Sequence, residues 1–177
     1  MIGVLVSGRG TNLQALIDAG LPIVAVASSR KDAYALVRAR AVGVPTATFS
    51  SDCHPVREER DLLMATWLEE HAVQLVVLAG YMQLLTRPFL ERFQDRIVNV
   101  HPSLLPAFPG LRAIEDALAA GAEMTGVTVH YVDEGLDTGP VITQEAVPVE
   151  PRATLEERIH AVEHRLLPAV VRELCAR

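Results

Sequence analysis

Ile2-Gly3-Val4-Leu5-Val6-Ser7-Gly8-Arg9-Gly10-Thr11-Asn12-Leu13-Gln14-Ala15-Leu16-Ile17 is the stretch whose reading decides the fold. Its first five residues are a short apolar run, which reads as a buried strand. Leu13, Leu16 and Ile17 then follow helical spacing. Strand, glycine turn, helix is the layout that seats a phosphate at a helix N-terminus. Glycine lets the backbone approach, and the N–H groups of the first turn meet the anion. Gly8 and Gly10 can equally serve a tight turn alone, and Thr11 or Asn12 is placed to cap the helix. The dinucleotide fingerprint is incomplete, because Leu13 stands where its third glycine belongs. A single mononucleotide-type phosphate is the better fit.

Outward from this stretch the pattern alternates. Residues 21–27 read as a second strand, followed by Ser28-Ser29-Arg30-Lys31 where an NAD enzyme carries an acid for the ribose. That argues against NAD and leaves NADP open. Residues 32–42 read as a helix stopped by Gly43 and Pro45, and 46–49 as a short strand. Residues 57–71 form an amphipathic helix, with Leu62, Leu63, Ala65, Trp67 and Leu68 inward and Glu58, Glu59, Glu69 and Glu70 solvated. Residues 75–80 are continuously apolar, as in parallel strands covered on both faces. Tyr81-Met82-Gln83-Leu84-Leu85 either walls a flat ligand or turns into the next helix. A helix at 111–120 closes at Gly121. Residues 125–132 then alternate with period two, with Val127, Val129 and Tyr131 on one face and Thr128 and His130 on the other. Residues 139–149 form another β segment. The last helix opens with Thr154 and Glu157 as a capping box and carries Pro168, which should kink it. The expected class is α/β, a mostly parallel central sheet with helices on both faces and an antiparallel C-terminal edge.

Composition narrows the partners. The 177 residues favour one domain with a sizeable core, and half of them are hydrophobic. A formal charge of −6 argues against a nucleic-acid binder. The two cysteines, Cys53 and Cys175, make no disulfide framework or zinc spacing and fit a reducing, cytoplasmic setting. The N-terminus lacks a basic leader, and no membrane segment is expected. Cys53-His54 has no second signal behind it, and Glu69-Glu70-His71 is not a zinc-protease motif.

The chemistry concentrates in Ile97-Val98-Asn99-Val100-His101-Pro102-Ser103-Leu104-Leu105-Pro106-Ala107-Phe108-Pro109-Gly110. Ile97, Val98 and Val100 are β-branched and read as a buried strand. Asn99 and His101 then point to the same side. Pro102 keeps His101 extended, and Pro106 and Pro109 stiffen the exit. A carboxamide beside an imidazole suits hydrogen bonding to an oxygen that becomes negative. The competing reading is a satisfied core histidine and a turn asparagine. Asp137 lies in the acidic loop Asp133-Glu134-Gly135-Leu136-Asp137-Thr138-Gly139-Pro140 and can return to the end of that strand. There its carboxylate would hold the tautomer of His101 and favour the imidazolium. No Ser or Cys at a nucleophile elbow accompanies these residues. The substrate itself must supply the nucleophile, which points to group transfer between two bound molecules.

Together these motifs resemble the phosphoribosylglycinamide formyltransferase family, the folate-dependent transformylases of purine synthesis. The resemblance is carried by Ser7-Gly8-Arg9-Gly10-Thr11-Asn12-Leu13-Gln14, Leu78-Ala79-Gly80-Tyr81-Met82 and Asn99-Val100-His101-Pro102-Ser103-Leu104-Leu105-Pro106. Pro109-Gly110, Gly126-Val127-Thr128-Val129-His130 and the 133–140 loop extend it. It implies a Rossmann-like formyltransferase fold in a single domain over 1–177. The ribonucleotide half would lie at about 1–80 and the folate and catalytic half at about 81–177. It also implies transfer of the formyl group of 10-formyltetrahydrofolate, as co-substrate, to the amine of N1-(5-phospho-D-ribosyl)glycinamide in de novo purine (IMP) synthesis, with no metal. Asn99, His101 and Asp137 match the family's catalytic trio: oxyanion donor, general acid, and the acid that raises the histidine pKa. Gly10, Thr11 and Asn12 match the ribose-phosphate cradle, and Glu163 the acid on the substrate ribose. Arg57, Met82, Gln83, Leu84, Leu85, Asn99, Asp133 and Glu134 match folate-side contacts. The partners so implied are small molecules, not nucleic acid or membrane, and the oligomeric state stays open between monomer and homodimer.

Two positions depart from the pattern: Gln83 stands where the family usually has Arg, and Arg112 where many members have His. Three rivals stand beside the resemblance. A methionyl-tRNA formyltransferase would carry a further C-terminal domain and a basic face. A formyltetrahydrofolate hydrolase would carry an N-terminal regulatory domain and use water as acceptor. A non-catalytic nucleotide-binding module would rest on Gly8, Gly10 and Ser29-Arg30.

Overall fold

The structure is a computed structural model and describes residues 1–176. The opening apolar run forms β1 (Ile2–Val6), buried at all five positions. It pairs in parallel with β2 (Ile23–Ser28) and with β4 (Leu75–Leu78), and β2 pairs in parallel with β3 (Thr46–Thr48). Between these strands run α1 (Thr11–Asp18), α2 (Tyr34–Ala41) and α3 (Arg57–Glu70). Then follow α4 (Arg87–Arg92), β5 (Ile97–His101), α5 (Ala113–Ala119), β6 (Met124–Tyr131) and β7 (Val141–Pro148). A single 3-10 turn, Arg152–Thr154, leads into α6 (Leu155–Cys175). The strands form one sheet in the order β3-β2-β1-β4-β5-β6-β7. β6 and β7 are antiparallel, so the sheet is mostly parallel with an antiparallel C-terminal edge, as expected of a Rossmann-like α/β chain.

The chain gathers into two compact units, Met1–Val98 and Asn99 onward. The core of the first is aliphatic: Val4, Leu5, Leu13, Leu16, Val26, Met64, Leu68, Val76 and Val77 are all fully buried. It also holds an ion pair. Arg60 donates to Asp61 Oδ1, with side-chain exposures of 5% and 0%. Asp61 Oδ2 accepts the Thr86 N–H at 2.8 Å, ahead of α4. In the second unit α6 packs on β6 and β7 and buries Leu155, Ile159, Leu167 and Val171.

Three local expectations are corrected. Leu63 is 49% exposed; the buried stripe of α3 is Arg60, Asp61, Met64, Ala65 and Leu68. Residues 61, 64, 65 and 68 share one face at 3.6 residues per turn, and Leu63 does not. Charge misled the reading, because the pair neutralises itself inside. Neither Thr11 nor Asn12 caps α1; Gly10 occupies the N-cap in the left-handed region, without a side-chain cap bond. The Thr154–Glu157 capping box does not form, since Thr154 Oγ1 donates to the Pro151 carbonyl and accepts from Arg158. α6 continues through Pro168 without interruption.

Candidate active site

β5 sets out Asn99 and His101 on one side, as period two requires. Four polar side chains of the second unit meet there: Asn99, His101, His130 and Asp137. His101 is 4% exposed, and its Nε2 lies 2.8 Å from the Phe108 carbonyl oxygen. A carbonyl can only accept, so Nε2 carries a proton. Nδ1 faces Asp137 Oδ2 at 3.4 Å. A second proton, on Nδ1, would therefore meet the carboxylate. His130 is 2% exposed and follows the same logic in mirror order. Its Nδ1 donates to the Tyr131 carbonyl at 2.8 Å, which leaves Nε2 to accept from Asn99 Nδ2 at 3.1 Å. Asn99 Nδ2 also faces Asp137 Oδ1 at 3.5 Å, so the amide nitrogen, not the oxygen, points into the cluster.

Asp137 is the hub. Burial alone would raise its carboxyl pKa. A hydrogen bond from the His130 ring in its protonated form, whose Nε2 lies 3.6 Å from Oδ1, the Gly110 N–H at 2.8 Å and the charge of His101 outweigh that and hold it below the ordinary carboxylate range. Its backbone lies in the left-handed region, at φ 55°. Asp is among the few non-glycine residues that enter this region at modest cost. The loop after β5 is held from β6. Thr128, fully buried, donates to the Ser103 carbonyl and accepts the Leu105 N–H and Gln144 Nε2. Sequence reasoning missed His130 as a member of the cluster. The signal was its place two residues from Thr128 on the polar face of a strand whose other face is Val127 and Val129. That polar face is buried too.

The first unit carries the glycine turn. Gly10 has φ 73°, and a Cβ there would lie 2.5 Å from Ala35 Cβ and 2.7 Å from Ala35 Cα. Glycine is needed both for the turn and for the approach of α2. Gly8 has no such neighbour. The first helical bond of α1 runs from Gln14 N–H to the Gly10 carbonyl, so the N–H groups ahead of it point off the helix start, the orientation an anion uses. The turn is braced by Ala35 N–H on the Gly8 carbonyl and by Arg38 on the Arg9 carbonyl. Thr11 and Asn12 open α1.

Residues 80–86 leave β4 as an irregular loop. Arg57, the first residue of α3, donates through Nη2 to the Leu84 carbonyl. Met82 and Leu84 are exposed, while Gln83 and Leu85 are half-buried. Gln83 Oε1 is buried without a hydrogen-bond partner. In the second unit Asp133 Oδ1 accepts the Gly135 N–H and the Thr138 hydroxyl, and closes the 133–138 turn on itself. Glu134 is exposed on that turn, and Glu163 is buried on α6. Among the described residues, no group of three or more His, Cys, Asp or Glu is arranged to hold a metal ion, and no helix is long and apolar enough to cross a membrane.

Comparison with known proteins places this geometry. The formyl transferase family matches residues 1–171. The phosphoribosylglycinamide formyltransferase of Haemophilus influenzae is 42% identical over 180 residues, which cover 97% of this chain and 85% of that protein. The crystal structure of phosphoribosylglycinamide formyltransferase from Bacillus halodurans superposes with a TM-score of 0.95 at 41% identity, over 99% of this chain and 95% of that one. The trifunctional purine biosynthetic protein adenosine-3 of Drosophila pseudoobscura is 44% identical over 178 residues. They cover 94% of this chain and 13% of that much longer protein. The chain therefore belongs to the formyl transferase family of formyl-transferring enzymes, on its phosphoribosylglycinamide formyltransferase branch.

Proposed function

We propose that the chain transfers the formyl group of 10-formyltetrahydrofolate to the amine of N1-(5-phospho-D-ribosyl)glycinamide, a step of purine biosynthesis. The observation that carries this reading is the Asn99–His101–Asp137 cluster, with His101 buried between two half-buried partners. It offers donors and a charge, and among the described residues neither imidazole hydrogen-bonds a hydroxyl or thiol side chain. The nucleophile is then the substrate's own amine, and the protein's part is positioning and stabilisation of developing charge.

In this mechanism the amine nitrogen attacks the formyl carbon, and a C–N bond forms as the carbonyl oxygen becomes an oxyanion. Asn99 donates an amide N–H to that oxygen. His101 gives its proton to the oxyanion or to the departing folate nitrogen, and the proton the amine loses passes, directly or through water, back to His101, so the enzyme ends in its starting state. The C–N bond to folate breaks, and tetrahydrofolate departs. Asp137 orients the ring and faces its second proton. The Nε2–H of His101 is held by the Phe108 carbonyl, so delivery through Nε2 requires that bond to be exchanged for one to the substrate. Gly10, Thr11 and Asn12 hold the phosphate and Glu163 a ribose hydroxyl. Arg57, Met82, Gln83, Leu84, Leu85, Asn99, Asp133 and Glu134 form the folate side. Backbone N–H and C=O groups of the two exposed loops suit the edge of a heteroaromatic ring.

The test is tetrahydrofolate release from 10-formyltetrahydrofolate with and without the ribonucleotide. Release only with the ribonucleotide is the expected result. Equal release without it would make water the acceptor and overturn the transfer reading in favour of a hydrolase.

A further inference from the structure

Ser7, at the junction of β1 and the glycine turn, is 6% exposed and is used by nothing in the mechanism above. Its backbone N–H donates to the Gly80 carbonyl at 3.1 Å. Its Oγ accepts the Met82 N–H at 2.9 Å and is hydrogen-bonded to Ser29 Oγ at 2.6 Å, either buried hydroxyl being able to donate. Ser29 is itself fixed, its N–H donating to the Val6 carbonyl. One side chain thus grips the loop that follows β4, and the residue after it begins the turn that leads to Gly10. Met82 is 55% exposed, so its backbone rather than its side chain anchors it.

We propose that Ser7 is a positioning residue that couples the two substrate loops, a role that rests on the substrate reading given above. Seating a phosphate on the glycine turn fixes Ser7. Through the Met82 N–H it then fixes the 80–85 loop, which no longer needs to be ordered when the folate arrives. The same bond works in reverse, because a coupling free energy between two sites is reciprocal. Removing the acceptor leaves a half-buried N–H without its partner and frees the loop.

The experiment uses glycinamide ribonucleotide and tetrahydrofolate, a pair that does not react. Calorimetry measures the affinity of each alone and in the presence of the other. The wild type is expected to bind each ligand about fivefold more tightly when the other is present. In Ser7→Ala the factor falls to about one, while each ligand alone keeps its affinity within about threefold. Ser7→Cys retains the shape with a weak sulfur acceptor and is expected to lose the coupling too, which keeps the test open if the alanine variant does not fold. Ser29→Ala spares the Met82 bond and should keep most of the coupling. A wild-type factor of one, or full coupling in Ser7→Ala or Ser7→Cys, would overturn the proposal. Absence of any binding of either ligand to the wild type would instead overturn the substrate reading, and this role with it.

Discussion

Asp137→Asn separates charge from shape at the hub of the site. Asparagine is the replacement of choice because φ at this position is 55°, and Asn enters the left-handed region more easily than any residue but glycine. Its oxygen can keep the Gly110 N–H, the 2.8 Å contact that holds the loop. What disappears is the negative charge 3.4 Å from His101 Nδ1, an interaction of about 5 kcal/mol at an effective dielectric of about 20. Asp137 keeps some solvent contact, so screening leaves about 3 kcal/mol, or roughly a hundredfold in rate. The new amide N–H₂ also faces Asn99 Nδ2 and so opposes the orientation that presents Asn99. Together these predict a loss of kcat of about 10²- to 10⁴-fold with KM for both substrates little changed. The assay is ribonucleotide-dependent tetrahydrofolate release, with circular dichroism and thermal melting to show that the variant folds. A folded variant within about threefold of wild-type kcat would refute the assignment of Asp137.

Gly10→Ala is expected to destabilise before it affects binding. The backbone penalty at φ 73° adds to overlap with Ala35, about 3 kcal/mol in all, and a melting curve should drop by roughly 6–12 °C. Asp61→Asn leaves Arg60 buried with no counter-charge and should cost about 3–5 kcal/mol in urea unfolding; a loss under about 1 kcal/mol would mean the pair is solvated in solution. For His164, burial first and the charge of His160 second lower the pKa from its ordinary 6.5. The unfolded chain then takes up a proton that the folded chain refuses. Stability is full above pH 6.5 and declines as pH falls through it, and His164→Asn should flatten that limb of a melting-temperature profile.

How much of this was written in the sequence depends on the range of the interaction. β1 and β4 were legible because a buried parallel strand is a continuous apolar run, and β5 because Ile97, Val98 and Val100 are β-branched. So were Asn99 and His101 as neighbours, since period two is a local rule. Helix starts were less legible. Thr154 and Gly10 show why, as a cap depends on which competing partner, Pro151 or Ala35, lies within reach. The burial of the Arg60–Asp61 pair was not legible, because sequence periodicity carries no information on Thr86, the third group that makes burial tolerable. His130 was visible only as half of an alternation. Its partner Asn99 is 31 residues away, beyond any local pattern.

The site's protonation pattern is decided outside the side chains that carry it. Two backbone carbonyls, those of Phe108 and Tyr131, each claim one nitrogen of one histidine. Because a carbonyl only accepts, each fixes a proton on the nitrogen it faces. His101 is left to present Nδ1 to Asp137, and His130 to present a lone pair to Asn99. Had the Phe108 carbonyl turned away, the proton of His101 would be free to sit on Nδ1 against Asp137, and Nε2 would be left as a base. The proton on Nε2 is therefore a property of the loop that begins at Pro102. Phe108 holds that loop at φ 53°, a conformation an aromatic residue adopts only when its surroundings compel it. Phe108→Gly removes the compulsion and keeps the carbonyl. If the loop conformation sets the tautomer, this variant should populate more than one His101 state in imidazole ¹⁵N spectra, whereas a single unchanged state would show that the tautomer does not depend on the strained backbone at Phe108.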